Sequence, residues 1–368
     1  MGVLAQIRSI CNRIIERSYS VGQLHGEKKK IKNSERQRII SEVSLTEVQK
    51  AKIEDFYQKY YGKKIDVNWH RLYQSFTGNF DETYLPEYIF SSEIEPKWNS
   101  RMYRDALSDK NLLYIYTVGM DGVRIPKIYA SRVNGLIRDE NMVPTDREHI
   151  IQLLSNIGET VIKPTVDSGS GKNVRFLNIV NGIDAGNGEP LGDIIDSFPD
   201  DFNIQECIIN HSSLQKLNDS SVNTFRIVTY IWDGQIYHMP IALRIGQGGN
   251  RLDNAHAGGM FVGISDEGKL GEYAYTEFKD TFSQHPDTGT VFKDCKIELV
   301  PQILKAAYKM HARVPQLKVM SWDLTLDQDG TVVLIEVNTV GQTVWFPQMA
   351  NGKSAFGNNT ADILNSLR

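Results

Sequence analysis

Between Ser321 and Asn338 the chain carries two carboxylates and an amide whose spacing suits a hard cation. Apolar-rich segments flank Asp329-Gly330, a dipeptide that favours a two-residue hairpin turn. With that turn, Gln328 lies opposite Thr331, and counting back along both strands sets Asp323 opposite Glu336 and Ser321 opposite Asn338. Asp323, Glu336 and Asn338 then share one face of a sheet. Carboxylates roughly 5 Å apart repel by about 3 kcal/mol at an effective dielectric of about 20, so something cationic belongs beside them. Oxygen-only ligands suit Mg2+, which keeps waters and bridges to phosphates. A four-residue loop over 327–330 would stagger the pair without separating its faces, and a solvated acidic face is the alternative reading.

A second feature is the loop Asp167-Ser168-Gly169-Ser170-Gly171-Lys172, in which Gly169 and Gly171 permit close approach and backbone N–H groups can line an anion site. It is not a P-loop, since Asn173 follows Lys172. Strands on both sides make it a hairpin lid. Lys163 lies on the strand just before it.

These residues need elements to hold them. Val161–Lys163 and Val174–Leu177 read as strands, as does 203–209; 223–232 pairs with 235–245 across Asp233-Gly234, and 299–314 reads as a helix ended by Pro315. A two-residue turn at Asp233-Gly234 pairs Arg226 with Ile241 and Arg244 with Asn223. The two arginines then face opposite sides unless a bulge intervenes. Residues 44–99 read as helical and aromatic-rich, with Val48, Ile53, Phe56, Tyr57 and Tyr60 as core, and 101–156 mixes short helices and strands.

At 368 residues, 40% hydrophobic and 23% charged, the composition is that of a soluble enzyme of two or three lobes. A net charge of −4 argues against a nucleic-acid partner. Cys11, Cys207 and Cys295 are too scattered for a zinc site and too few for a disulfide framework, so a reducing, cytoplasmic setting is expected. Apolar runs are too short to span a bilayer, no signal-peptide core is evident, and Gln6 breaks the myristoylation pattern. Over 1–17, however, Val3, Leu4, Ile7, Ile10, Cys11, Ile14 and Ile15 form one helical face, and a basic stretch with Lys28-Lys29-Lys30 follows. Three partners fit that face: the protein itself, a second subunit, or an anionic membrane.

Taken in order, Lys163-Pro164, the glycine-rich lid, Gln205-Glu206-Cys207-Ile208 and Asp323 with Glu336-Val337-Asn338 resemble the ATP-grasp enzymes. More narrowly, the chain resembles the sugar-transfer-associated ATP-grasp family, related to glutamate ligases. The likeness runs through 84–88, Ile94-Glu95-Pro96, Asp109-Lys110, 223–229, Arg244-Ile245-Gly246, Asp253-Asn254, Gly258-Gly259, His285-Pro286 and Ser321-Trp322-Asp323. It covers roughly 68–338 and leaves out the first forty residues.

The resemblance implies an α+β fold, with two α+β lobes clasping ATP. The expected organisation is an N-terminal helix and basic linker over 1–43, a helical region over 44–100 and an ATP-grasp domain over 101–368. It further implies that Lys110 and Lys163 meet the α/β-phosphates and adenine edge, and that Ser168, Gly169, Ser170, Gly171 and Lys172 cover the phosphates. Glu206, Cys207 and Ile208 would face adenine, with His211 near the ribose. Asp323, Glu336 and Asn338 would hold Mg2+, while Arg226 and Arg244 clamp the transferred phosphate or an acid substrate. Asp253, Asn254 and His256 are carried as substrate-side residues, although 253–259 could be only a turn. Asn338-Thr339-Val340-Gly341 departs from the Pro-Gly that many relatives have there, which leaves the shape of the neighbouring substrate pocket open.

The expected chemistry is ATP-dependent joining of a carboxylate to an amine through an acyl phosphate, with small-molecule partners that include sugar-linked acids or amines. The link to cell-surface polysaccharide comes from the resemblance alone. A phosphotransferase and a non-catalytic ATP-binding partner of a glycosyltransferase are the alternatives.

Overall fold

The computed structural model describes residues 3–166, 173–251, 253 and 258–368, with the side chains of 3–9 and 12 outside that set. Among the described residues two sheets form, accompanied by helices, which makes the fold α+β. The smaller sheet contains β2 (Ile128–Val133), β3 (Leu136–Asp139), β4 (Gly158–Pro164), β5 (Arg175–Val180), β6 (Ile183–Asp184) and β7 (Phe202–Glu206), in the order β3-β2-β7-β4-β5-β6. Period-two alternation sends Ile162, Leu177, Ile179 and Ile204 to one side, where they pack on helices Arg147–Leu153 and Leu191–Ser197. Lys163, Asn203, Gln205 and Phe176 take the other side.

The larger sheet runs β1 (Val123–Arg124), β15 (Val332–Asn338), β14 (Val319–Leu326), β8 (Thr224–Trp232), β10 (Ile241–Ile245), β11 (Met260–Ile264), β12 (Leu270–Tyr275) and β13 (Thr281–Phe282). β9 (Gln235–His238) pairs with β8 off that path. One face carries Phe225, Ile227, Leu243, Val262, Trp322, Leu324 and Leu334 onto helix Val300–His311. On the opposite face Val228, Tyr230 and Val319 pack on the N-terminal helical region. Farther along, that face becomes polar, as Ser321, Asp323 and Thr325 on β14 and Thr224 and Arg226 on β8.

The β14–β15 register is as the sequence predicts at the site, but it arises differently. The turn is one residue longer: Leu326 pairs with Val332, and Gly330, at φ +80, closes a loop whose N–H groups at Asp329 and Thr331 donate to Asp327 Oδ1. That offset would turn Glu336 into the core with Val332 and Leu334. A bulge at Ile335 restores the pairing, so Asp323 faces Glu336 and Ser321 faces Asn338. The β8–β10 hairpin shows the bulge that the arginines require. Met239 still donates to Val228, but Pro240 has no N–H to give, and pairing resumes one residue out of step at Ala242–Arg226 and Arg244–Thr224. Arg226 and Arg244 therefore share a face.

The helical region comprises α1 (Val3–Lys30), α2 (Ser34–Ser41), α3 (Glu47–Tyr60), α4 (Asn68–Thr77) and a helical run over 87–98. α3 begins at a Thr46/Gln49 capping box, and α4 ends at left-handed Gly78. Ile53 and Tyr57 are core as expected, whereas Val48 is exposed. α1 does not stop near Arg17; it continues through the basic stretch to Lys30. Gly22 and Gly26 face open space and lower helix propensity by about 1 kcal/mol each, an effect offset by the packing of Tyr19, Glu27 and Ile31 on the body.

Candidate functional site

Asp323 is at the centre of the polar face and is almost fully buried. A buried carboxylate needs paired positive charge, and the strand pairing supplies it. Arg226, directly across on β8, donates from Nε to Oδ1 at 2.6 Å and from Nη2 to Oδ2 at 3.2 Å. Arg244, one strand farther, brings Nη2 to 3.3 Å from Oδ2. Burial raises the Asp323 pKa, but Arg226 and Arg244 outweigh it and hold the carboxyl below its ordinary value. The cation expected beside the carboxylates is thus, first, a pair of guanidiniums.

Arg244 is itself held on both sides. Its Nε and Nη2 donate to Thr224 Oγ1 at 3.0 and 2.7 Å, and Nη2 lies 3.4 Å from Asp253, whose carboxylate accepts from the Thr224 hydroxyl. Burial pushes Asp253 up, against the pull of Arg244. Sequence reading missed Thr224, yet it precedes Arg226 by two residues, and period two places both on one face. His285 is fully buried and supports the next turn through Gly246 O at 2.8 Å. At Gly246 a Cβ would lie 2.5 Å from Ser221 Oγ, so only glycine fits.

Two lysines complete the group, Lys163 from the smaller sheet and Lys110 from a short helix beside it. Asp109 caps the short helix Lys110–Leu112, Lys110 N–H donates to Thr165 O at 3.1 Å, and Asn111 reaches Thr165 Oγ1 at 2.9 Å. This tie to the end of β4 directs Lys110 Nζ to Glu336 Oε1 at 3.0 Å. Lys163, on β4 opposite Asn203, is buried, and burial lowers its pKa to about 8; Glu336 opposes that shift and Lys110 adds to it. Four predicted cations, Lys110, Lys163, Arg226 and Arg244, thus gather round Asp323 and Glu336. Asn338 is half-buried on the same face.

The segment after Asn338 is fixed from the helical region. Glu95 Oε1 accepts from Gln342 N–H at 2.9 Å, and Glu87 Oε2 accepts from Val344 and Trp345 N–H, both at 2.9 Å, capping helix Trp345–Asn351. Thr339 Oγ1 donates to Arg104 O, and Asn99 donates to Thr339 O. Burial raises the Glu95 pKa to about 7 and that of Glu87, which also feels Glu27, to about 8. The segment through Thr339-Val340-Gly341 is therefore held by two carboxyls, Glu87 and Glu95, far earlier in the chain. Both residues occur in the quoted motifs, but nothing local to them points to that partner.

Other predicted residues lie elsewhere. Glu206 pairs with Arg124, which also holds Asp327 at 3.0 Å, so this acid links β7 to the β14–β15 turn. Cys207 is half-buried with its thiol pushed up by burial, and Arg251 reaches it at 3.2 Å while stacking 4.4 Å over Phe176. Ile208 is buried, and His211 caps helix Ser212–Gln215. Ser168, Gly169, Ser170, Gly171, Lys172, Asn254 and His256 lie outside the described residues.

The donor set suits a magnesium ion bound together with a phosphate ligand. Among the described residues no three His, Cys, Asp or Glu side chains converge, so an ion here would rest on two carboxylates, one amide and oxygens of its ligand. Glu336 and Asn338 are partly exposed. Asp323 would join by releasing one guanidinium.

The sequence model described as sugar-transfer-associated ATP-grasp matches residues 89–362, well over half of the chain. No curated protein sequence matches. Similar solved structures include the VanG D-Ala:D-Ser ligase of Enterococcus faecalis, with 13% identity over 71% of this chain and 60% of that one, at a TM-score of 0.40. D-alanyl-alanine synthetase A of Vibrio cholerae O1 biovar eltor has 14% identity over 71% and 63%, at 0.38. Biotin carboxylase of Campylobacter jejuni has 12% identity over 71% and 46%, at 0.40. The chain thus spans less than two thirds of these relatives.

Proposed function

Since the chain belongs to the sugar-transfer-associated ATP-grasp family, we propose that it is an ATP-dependent carboxylate–amine ligase of cell-surface polysaccharide synthesis or modification. The observation that supports this reading is the group of Lys110, Lys163, Arg226 and Arg244 around the facing Asp323 and Glu336. Phosphoryl transfer depends mostly on positioning and charge neutralisation, which such a group supplies.

In this reading Lys110 and Lys163 receive the phosphates of ATP, Lys110 exchanging Glu336 for phosphate. Glu336 and Asn338 would hold Mg2+, joined by Asp323 once one guanidinium lets go, and the ion would neutralise charge on the phosphate oxygens. Arg226 and Arg244, fixed by Asp323, Asp253 and Thr224, steer the acid. Its carboxylate oxygen bonds to the γ-phosphorus while the bond to the ADP oxygen breaks. The amine nitrogen then attacks the acyl carbon, phosphate departs, and the amine proton passes to solvent. The 168–172 lid would exclude water from the acyl phosphate, and Asn254 and His256 would meet the acid or amine, while buried Asp253 holds Arg244 rather than substrate.

The test supplies candidate acids with ATP and hydroxylamine in place of the amine. A hydroxamate, together with ADP release, is expected. A stable phosphorylated product that hydroxylamine does not intercept would move the assignment to a phosphotransferase.

A further inference from the structure

α1 carries two faces with different fates. At 100° per residue, Glu16, Tyr19, Gln23 and Glu27 lie on one side, and this polar side packs on the body. The Tyr19 ring lies 4.5 Å from the Arg104 guanidinium carbon, Glu16 is 3.8 Å from Arg104, and Glu27 is buried and paired with Lys30 at 2.6 Å. The apolar residues point away. Ile10, Ile14, Ile15 and Val21 are 49, 63, 43 and 45% exposed. Ile10, Ile14 and Val21 fall within about 40° of one another, nearly opposite the packed side, and the exposed Arg17 and Lys28 continue the same row.

We infer that this outward row seats on an anionic membrane surface. An apolar row interleaved with cations is suited to the boundary between headgroups and acyl chains, where long basic side chains reach the phosphates. Charge separates along the chain in the same sense. Residues 1–38 hold nine Lys and Arg against three Glu, a net of +6, whereas the whole chain is −4, which leaves −10 on the rest. A cationic arm on an acidic body is drawn to an anionic surface by the arm alone. Two copies paired through this row, either in parallel or antiparallel about a centre between Arg17 and Lys28, would bring these cations together, which disfavours a second copy as occupant.

The experiment is co-sedimentation of the intact chain with phosphatidylcholine vesicles, with and without about 30% phosphatidylglycerol. Binding to the anionic vesicles is expected, with a fall on raising NaCl from about 0.1 to about 0.5 M. The double substitution I10E/I14E should lower partitioning about tenfold or more with an unchanged thermal midpoint. Should that variant fold poorly, K28Q/K29Q, which leaves the apolar row intact, should weaken binding to anionic vesicles alone. Failure of the intact chain to bind anionic vesicles, or equal binding by both variants, would overturn the inference. So would light scattering that shows a dimer converted to monomer by I10E/I14E.

Discussion

The two sheets meet at the site with opposite electrostatic habits. On the larger sheet the buried charges Asp323 and Arg244 already have partners in place: Asp323 has Arg226 and Arg244, and Arg244 has Asp253 and Thr224. On the smaller sheet Lys163 is buried with its charged form disfavoured, and Asn203 Oδ1 beside it has no hydrogen-bond partner. One surface is preorganised and stable as it stands, whereas the other gains from an incoming anion. Under the proposed function, the first surface would fix the reacting groups and the second would receive the nucleotide.

The sharpest way to break this contrast is on the larger sheet. Arg226→Met leaves buried Asp323 with half its pairing, and loss of about 3–5 kcal/mol in unfolding free energy is expected, together with loss of turnover. Chemical denaturation checks the first and ADP release the second. A variant as stable as the parent would mean that the pairing is not what holds Asp323.

On the smaller sheet the sign reverses. The folded pKa of Lys163, about 8, lies below its ordinary 10.5, so the folded state binds the proton less tightly. The penalty is fully present below pH 8 and is relieved as pH rises from 8 to 10.5. Lys163→Met should therefore raise the stability of the nucleotide-free protein at pH 7 by up to about 3 kcal/mol, while ATP turnover falls about a hundredfold or more. Thermal melts with and without ATP separate the two effects.

A smaller effect is expected at Glu95, behind the site. Its folded pKa, about 7, is above the ordinary 4.5, so its contribution is fully present below pH 4.5 and is lost as pH rises through 7. Glu95→Gln keeps an acceptor for Gln342 N–H and should flatten the fall in thermal midpoint between about pH 5 and 8. An unchanged slope would return that pH dependence to other groups, such as Glu87.

Much of this site was legible because its residues are local in sequence or fixed by period two. A two-residue turn predicts the Asp323–Glu336 pairing, and the structure reaches the same pairing through a longer turn and a bulge at Ile335 that cancels it. The same kind of bulge after Met239 was required to join Arg226 to Arg244, and only the requirement was visible beforehand. Contacts between distant segments were not legible. Glu95 with Gln342 and Lys110 with Glu336 arise from packing, which no spacing encodes. The apolar row ends near Arg17, where a polar, basic stretch with Gly22 and Gly26 begins, and tertiary packing carries α1 on to Lys30.

The central claim is that the charges gathered between the sheets bind Mg-ATP, and calorimetric titration of the nucleotide at pH 8 in buffers of different ionisation enthalpy tests it most directly. Phosphate near Lys163 should restore its proton, so binding with proton uptake is expected, the uptake lost in Lys163→Met and the affinity lost in Lys163→Met/Glu336→Gln. Unchanged affinity in that double variant, verified as folded, would contradict the account.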